Sequence, residues 1–421
     1  TDFFNNKPVV LGITLRDSLT FTKALDVKAR NQSAFLTFTG QPVDFGVKSV
    51  NLGAQGGKLA VGGAFNYASA EHSTIAGIDD GVVARAELGT IGVDALSQDR
   101  IIAVTPTAGK GEGSAVNIIA AYSQLDNKTV AVLSNKADVK AERLGVTATE
   151  DVSVWSAAGA AAFGESSAAV GIALAVNDLS GRTVAAIADP GALDVGAVRP
   201  DNFGGKNAVG SVNVPQVEVL GLTQGTSGAI AASASAVSTK DNSQDDQAKS
   251  DEPKSGLSKL MEKVKTKTSS MRQGLVDKLA TDKPGTFSDL RNKLSDKVKE
   301  KQQATAAPKP MEASKIAFAA AGSSTVNLGD LDTSSLIDHA SLAYLGTKTS
   351  GLSDPTSLSA RAVNDTHQYS VSGSLAVLKL KAPQTQTGYG VSGAIALDLE
   401  DNDTLARVSD SAVKDYGRVG V

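Results

Sequence analysis

The chain contains no cysteine, so neither a disulfide framework nor a thiolate metal site holds it together. Aromatic residues make up only 4 % of its 421 positions. A compact enzyme of this length ordinarily packs more large side chains, and so thin a supply argues against the aromatic platforms of a sugar-processing groove. Charge is nearly balanced, at −4, which argues against a general nucleic-acid binder, since such a protein would show a basic face. No apolar run is long enough to span a membrane, and no stretch reads as a signal peptide. The chain opens at Thr1 and closes in a repeat-like segment, and is expected to be a fragment or a processed piece. The three histidines, His72, His339 and His367, form no HxH or HxxxH pattern. His72 is expected in a turn, and no metal or catalytic role is expected for any of them. Acidic stretches at Asp79-Asp80, Asp330-x-Asp332 and Glu400-Asp401-Asn402-Asp403 read as solvated turns, because calcium wants six to eight oxygens and the calcium-binding nonapeptide repeat is absent. Gly109-Lys110-Gly111-Glu112-Gly113 lacks phosphate-loop spacing and reads as a turn between strands.

What the chain does have is repetition. Ala168 to Pro190, AAVGIALAVNDLSGRTVAAIADP, reads as a strand of small and β-branched residues, a polar turn over Asp178 to Arg182, and a second strand with Thr183, Ala185 and Ile187 on one face. Related blocks begin at Gly62, Gly113 and Gly390, and each carries Thr-x-Ala-x-(Ile/Leu/Val), at Thr74, Thr129 and Thr404. The first intervals are 55 and 54 residues. A second series, Val27, Val83, Val139 and Val195, is spaced by 56. Fixed self-similarity predicts a stacked array whose units bury their apolar faces against one another. With coils of roughly 20 residues, one repeat would hold two or three coils. A string of β-sandwiches is the competing architecture, but it needs no fixed spacing and a more aromatic core.

Along the chain, residues 1–60 form a β region with a bulkier core, since seven of the 11 phenylalanines fall before residue 66. Repeats follow over 57–239, with Trp155 in the strand DVSVWSA and Val217 and Val219 sharing a face. The copy starting at Ser227 is interrupted by residues 240–312, and strands resume over 313–421, where 338–364 fits the period poorly. The interruption begins as a polar, charged linker. Leu257, Met261, Val264, Met271, Leu275 and Leu279 then recur at helical spacing. A turn at Asp282 to Gly285 and a capping pattern at Thr286-x-x-Asp289 precede a second helix with Phe287, Leu290, Leu294 and Val298 on one side. The expectation is a helical hairpin on two tethers. Its lysines, Lys259, Lys263, Lys267, Lys278, Lys293, Lys297 and Lys301, are the candidate partner-binding residues, and its amphipathic stretch over 255–301 suits an anionic membrane surface. The alternative is a decorative hairpin whose apolar stripe packs on itself or on the shaft.

The pattern Gly171-Ile-Ala-Leu-Ala-Val-Asn177, turn, Thr-x-Ala-x-Ile resembles the repeats of large secreted bacterial proteins of two-partner secretion, the filamentous-haemagglutinin-like adhesins and related leukotoxin-like proteins. Ala64-Phe-Asn66 and Ala115-Val-Asn117 keep the asparagine, and Ala396-Leu-Asp398 replaces it by aspartate. The resemblance covers roughly 57–237 and 313–413. It implies an all-β fold, a right-handed parallel β-helix (solenoid) carrying the helical-hairpin insertion. It further implies a secreted or cell-surface location, an outer-membrane secretion partner, and adhesion to a host or neighbouring cell surface without catalysis, cofactor or metal. A cytotoxin shaft whose hairpin engages membrane and a β-helical glycan-active enzyme are the alternatives.

Overall fold

Small and β-branched side chains alternate with period two through most of the chain, and alternation sustained this long gives strands of unusual length. The structure, a computed structural model, describes residues 9–15, 19–21, 24–39, 59–111, 113–165, 167–190, 193, 210–238, 316–344, 356–379 and 387–421. The chain divides into two compact units, one of Thr1–Thr239 with Ala313–Val421 and one of Lys240–Glu312. The second unit, with the expected hairpin and its lysines, lies outside the described residues.

Every regular element described in the first unit is a strand. In chain order these are β1 (Val9–Leu15), β2 (Leu19–Phe21), β3 (Ala24–Phe38), β4 (Leu59–Ile78), β5 (Val83–Gly111), β6 (Ser114–Ser134), β7 (Asp138–Gly164), β8 (Ala168–Ala188), β9 (Ser211–Asn213) and β10 (Gln216–Ser238). After the interruption come β11 (Ile316–Asp338), β12 (Ser341–Ala343), β13 (Ser357–Lys379), β14 (Thr387–Glu400), β15 (Thr404–Ser409), β16 (Ala412–Lys414) and β17 (Arg418–Gly420). They form two sheets, and every pairing is parallel. The first sheet has the order β1-β4-β6-β8-β11-β14, with β15 also on β11; in the second, β3 and β2 pair with β5, then β7, β10 and β13 follow, with β9, β12 and β16 in line beside β7. Consecutive long strands therefore alternate between sheets, and each pair of strands makes one coil of a β-helix-like stack. Six coils are described, starting at β1, β4, β6, β8, β11 and β14.

The 55-residue repeat is thus a single coil, not two or three. Its two strands, 20 and 29 residues long in the second coil, take up nearly the whole repeat. The sequence Asp178 to Arg182 is not a turn: β8 runs straight through it. Its polar residues belong to a strand whose inner face is polar at mid-length. The same holds for Asp126-Asn127 in β6. The sharp reversals come elsewhere, as at Asp79-Asp80-Gly81, where Gly81 adopts φ 70° and Asp79 Oδ1 accepts the Asp80 N–H at 2.7 Å.

Registers sort the two repeat series. Thr74, Thr129, Thr183, Thr333 and Thr404 lie side by side across five coils. The valine series does not line up: Val27 pairs with Val93, and Val83 with Asp138. An irregularity between Ala86 and Thr90 shifts the pairing of β5 with β7, so constant spacing in sequence is not constant position in space.

The interior changes along each strand. Near the Asp79–Gly81 edge it is aliphatic, with Ile78, Leu133, Ile187 and Ile337 of the first sheet against Ile91, Val93, Leu144, Val217 and Leu358 of the second. Toward the opposite edge it is almost entirely alanine, including Ala121, Ala158, Ala160, Ala173, Ala229 and Ala231. Small side chains let sheets approach closely, and the larger residues of that half point outward. Trp155 is one of them. It stacks on Tyr369 with centroids 6.4 Å apart, two coils away, across Gly228, which pairs with both. A Cβ on Gly228 would lie 2.2 Å from the indole, so only glycine leaves room for that stack.

Candidate functional site

Polar side chains at inward positions divide the aliphatic half from the alanine half. In β5, Ser97 and Asp99 face inward between Ala95 and Ile101; in β7, Glu150 does so between Ala148 and Val152. The strand pleat forces these groups into the interior, where each must find a partner. Asp99 is fully buried and gathers several. Ser97 Oγ donates to Oδ2 at 2.7 Å, Asn127 Nδ2 to Oδ2 at 2.8 Å, Asn31 Nδ2 to Oδ1 at 3.3 Å, and Ser33 Oγ donates a short bond to Oδ1. His72 Nδ1 lies 2.9 Å from Oδ1. Burial pushes the Asp99 carboxyl up, but the hydrogen bonds from His72, Ser33 and Ser97 outweigh it and hold the group below the usual carboxylate range. His72 is therefore not a turn residue. It sits inside β4, 6 % exposed, with Phe35 stacked on its ring.

Asn127 also faces Glu150, whose carboxyl burial pushes up to about 7. From Glu150 a file of hydroxyls crosses the coils. Thr183 donates to Glu150 Oε2 at 2.7 Å, Thr223 to Thr183 at 2.8 Å, and Thr333 to Thr223 at 2.7 Å. The two carboxyls are thus held in opposite states, one ionised and one poised near neutrality. That contrast resembles an acid–base pair, yet Asp99, Asn127 and Glu150 are at most 1 % exposed. What the arrangement does is cross-link the two sheets and fix their register.

A second line of cross-links explains the recurrent asparagine. Asn177 Nδ2 donates to Gly228 O at 2.8 Å and Asn327 Oδ1 at 2.9 Å; Asn327 Nδ2 donates to Tyr369 O at 2.8 Å and Asp398 Oδ1 at 2.7 Å. Asp398 does share the row of Asn177. Asn66 and Asn117 do not: Asn66 pairs with Ala121, and Asn117 with Gly171. They nevertheless do the same work in their own coils. Asn117 donates to Thr107 O and Ala161 O, both at 2.9 Å, and Asn66 to Thr37 O at 3.2 Å, so each reaches carbonyls of the opposite sheet.

Charge also accumulates at the turn edge. Lys136 Nζ lies 3.3 Å from Asp80 Oδ2 and 3.0 Å from Asp189 Oδ2, bridging carboxylates of the coils on either side. Its ammonium is pushed up, chiefly by the Asp189 hydrogen bond. The Asp80 side chain is only 2 % exposed. Lys136→Met therefore leaves a buried carboxylate with the Ser134 hydroxyl but no counter-charge and should destabilise the fold by about 2 to 3 kcal/mol, read as a drop in urea midpoint at unchanged slope.

Two coils on, Asp338, His339 and Asp410 place their ligand atoms within 4.8 Å of one another, the one such grouping among the described residues. Both Asp338 oxygens are engaged: Ser409 Oγ donates to Oδ1 at 2.5 Å and His339 Nδ1 lies 2.8 Å from Oδ2. The Ser409 hydrogen bond and then His339 hold the Asp338 carboxyl down, and Asp338 pushes the exposed His339 up. The grouping is a largely solvent-facing ion pair, unlike that of Lys136 with the buried Asp80. Asp330-x-Asp332 lies within β11, whereas 401–403 is the break between β14 and β15. Gly109 to Gly111 close β5, and the next strand starts at Ser114.

Asp99, Glu150, Lys136 and Asn327 were not singled out by sequence reasoning. A signal existed for Glu150 and Asp99, a charged residue two positions from apolar ones on an alternating strand. None existed for Lys136, whose partners are 56 and 53 residues distant. No family profile, curated protein or solved structure matches this chain.

Proposed function

We propose that the chain is a non-enzymatic segment of a large secreted or cell-surface bacterial adhesin. In this reading the stack is a right-handed β-helical shaft, and residues 240–312 form a helical hairpin displayed for binding to a cell surface or a partner. The observation that supports it best is the use of interior chemistry: the buried polar groups bond across coils and between sheets, as a shaft held under tension requires. The resemblance of Gly171 to Asn177 and the Thr-x-Ala-x-Ile rows to two-partner-secretion repeats supplies the class. The lysines from Lys259 to Lys301 supply the contact chemistry, and an outer-membrane partner would export the chain.

The test replaces residues 240–311 with a short Gly-Ser turn and compares both forms for cell binding and for dye release from anionic liposomes. The expected result is a folded shaft by circular dichroism, cell binding lost on deletion, and no leakage from either form. Leakage caused by the intact chain alone transfers the assignment to a membrane-active toxin. Equal cell binding by both forms removes the insert from the function.

A further inference from the structure

The alanine half of the stack carries its large side chains on the outside, and on the first sheet they form a pattern. Ile118, Ile172, Gly322 and Gly393 occupy one row across the third to sixth coils. The isoleucines are 45 % and 41 % exposed. A Cβ on either glycine would meet nothing within 4 Å. The row is two knobs followed by two holes.

A two-fold axis parallel to the strands, passing between the fourth and fifth coils, reverses the order of coils but keeps each residue's place along its strand. A second copy related in this way sets the third coil on the sixth and the fourth on the fifth. Ile118 then meets Gly393, and Ile172 meets Gly322. The neighbouring rows follow the same rule except at Val116, which meets Val391. On one side Leu174 meets Ser324, and Ala120 meets Ile395, itself 52 % exposed. Two rows to the other side, Ala168 meets Phe318. Large faces small at the other positions of these rows, which is the self-complementarity that an isologous interface requires. Sheets packed face to face at about 10 Å interdigitate in this manner. No charged side chain lies in these rows.

We infer that the outer face of the alanine half of the first sheet is an interface with a second copy of this chain, packed two-fold about the boundary of its fourth and fifth coils. The inference goes beyond the adhesin reading and does not depend on it.

The test uses two variants of the full chain in analytical ultracentrifugation. Variant one, Gly322→Ile with Gly393→Ile, fills the holes. Neither glycine has a left-handed φ, and isoleucine suits a strand, so the fold is retained. Variant two, Ile118→Gly with Ile172→Gly, removes the knobs. Wild type is expected to be dimeric, and variant one to self-associate about a hundredfold more weakly because knob now meets knob. Mixing the two variants should restore dimer, since the filled row of one copy then faces the emptied row of the other. That rescue requires that this row of one copy face the same row of the other. Three results overturn the inference. One is a wild type that stays monomeric at about 100 µM while binding lipid vesicles or nothing. The others are variant one dimerising as tightly as wild type, and a mixture of two folded variants that stays monomeric. If variant two fails to fold, the comparison of wild type with variant one decides alone.

Discussion

Glu150→Gln is expected to stabilise the first unit by about 3 kcal/mol at pH 8 relative to wild type and to leave it nearly unchanged at pH 4, each read from urea unfolding. Burial places the folded-state value at about 7, against an ordinary 4.5. Below 4.5 both folded and unfolded chains hold the proton, and the charge costs nothing. Between 4.5 and about 7 the unfolded chain ionises first, so wild-type stability falls as pH rises. Above that range both states are ionised and the penalty is constant. Glutamine keeps the acceptor for Thr183 and never ionises. The difference between the two unfolding curves therefore isolates this group from every other carboxylate. A difference independent of pH would show that Glu150 is already ionised, and solvated, in the folded chain.

Asp99→Ala acts in the opposite direction and should cost about 3 to 5 kcal/mol. The carboxylate accepts from Ser33, Ser97, Asn31 and Asn127 and pairs with His72. Alanine leaves Asn31, Ser97, Asn127 and His72 buried without that partner. Asp99→Asn, which keeps an acceptor oxygen and the shape, should lose about half as much. The damage should be local, because a stacked array is stabilised mainly between neighbouring coils. Amide protection is expected to fall in β3 to β6 and to persist in β11 and β14. A uniform loss would mean that the stack unfolds as one cooperative body.

The threonine rows were legible in the sequence because Thr74, Thr129 and Thr183 are separated by near-constant intervals, and an inward hydroxyl followed by small and aliphatic residues is a distinctive string. Thr333 escaped because the interrupting segment stretches its interval from Thr183 to 150 residues, although it sits in the same row. Asparagine was legible as a recurring residue but not as a row. A strand shifted by an even number of positions keeps the same side chains inward, so Asn66 and Asn117 can reach opposite carbonyls from other rows. The polar mid-strand stretches imitated turns, since local composition does not distinguish a solvated loop from a buried hydrophilic row. Coil length was misjudged for that reason: each supposed turn divided one long strand into two.

The width of the coils has a mechanical consequence. Hydrogen bonds between strands run along the stacking axis, so tension applied along that axis pulls on them directly. The boundary between the third and fourth coils is closed by 21 residue pairs in β6–β8 and 22 in β7–β10. Tension shared evenly over both ladders loads each bond lightly, and rupture must start by peeling from one edge. Each added coil lengthens the stack by only about 4.8 Å, so this chain gives up reach for resistance to being pulled apart.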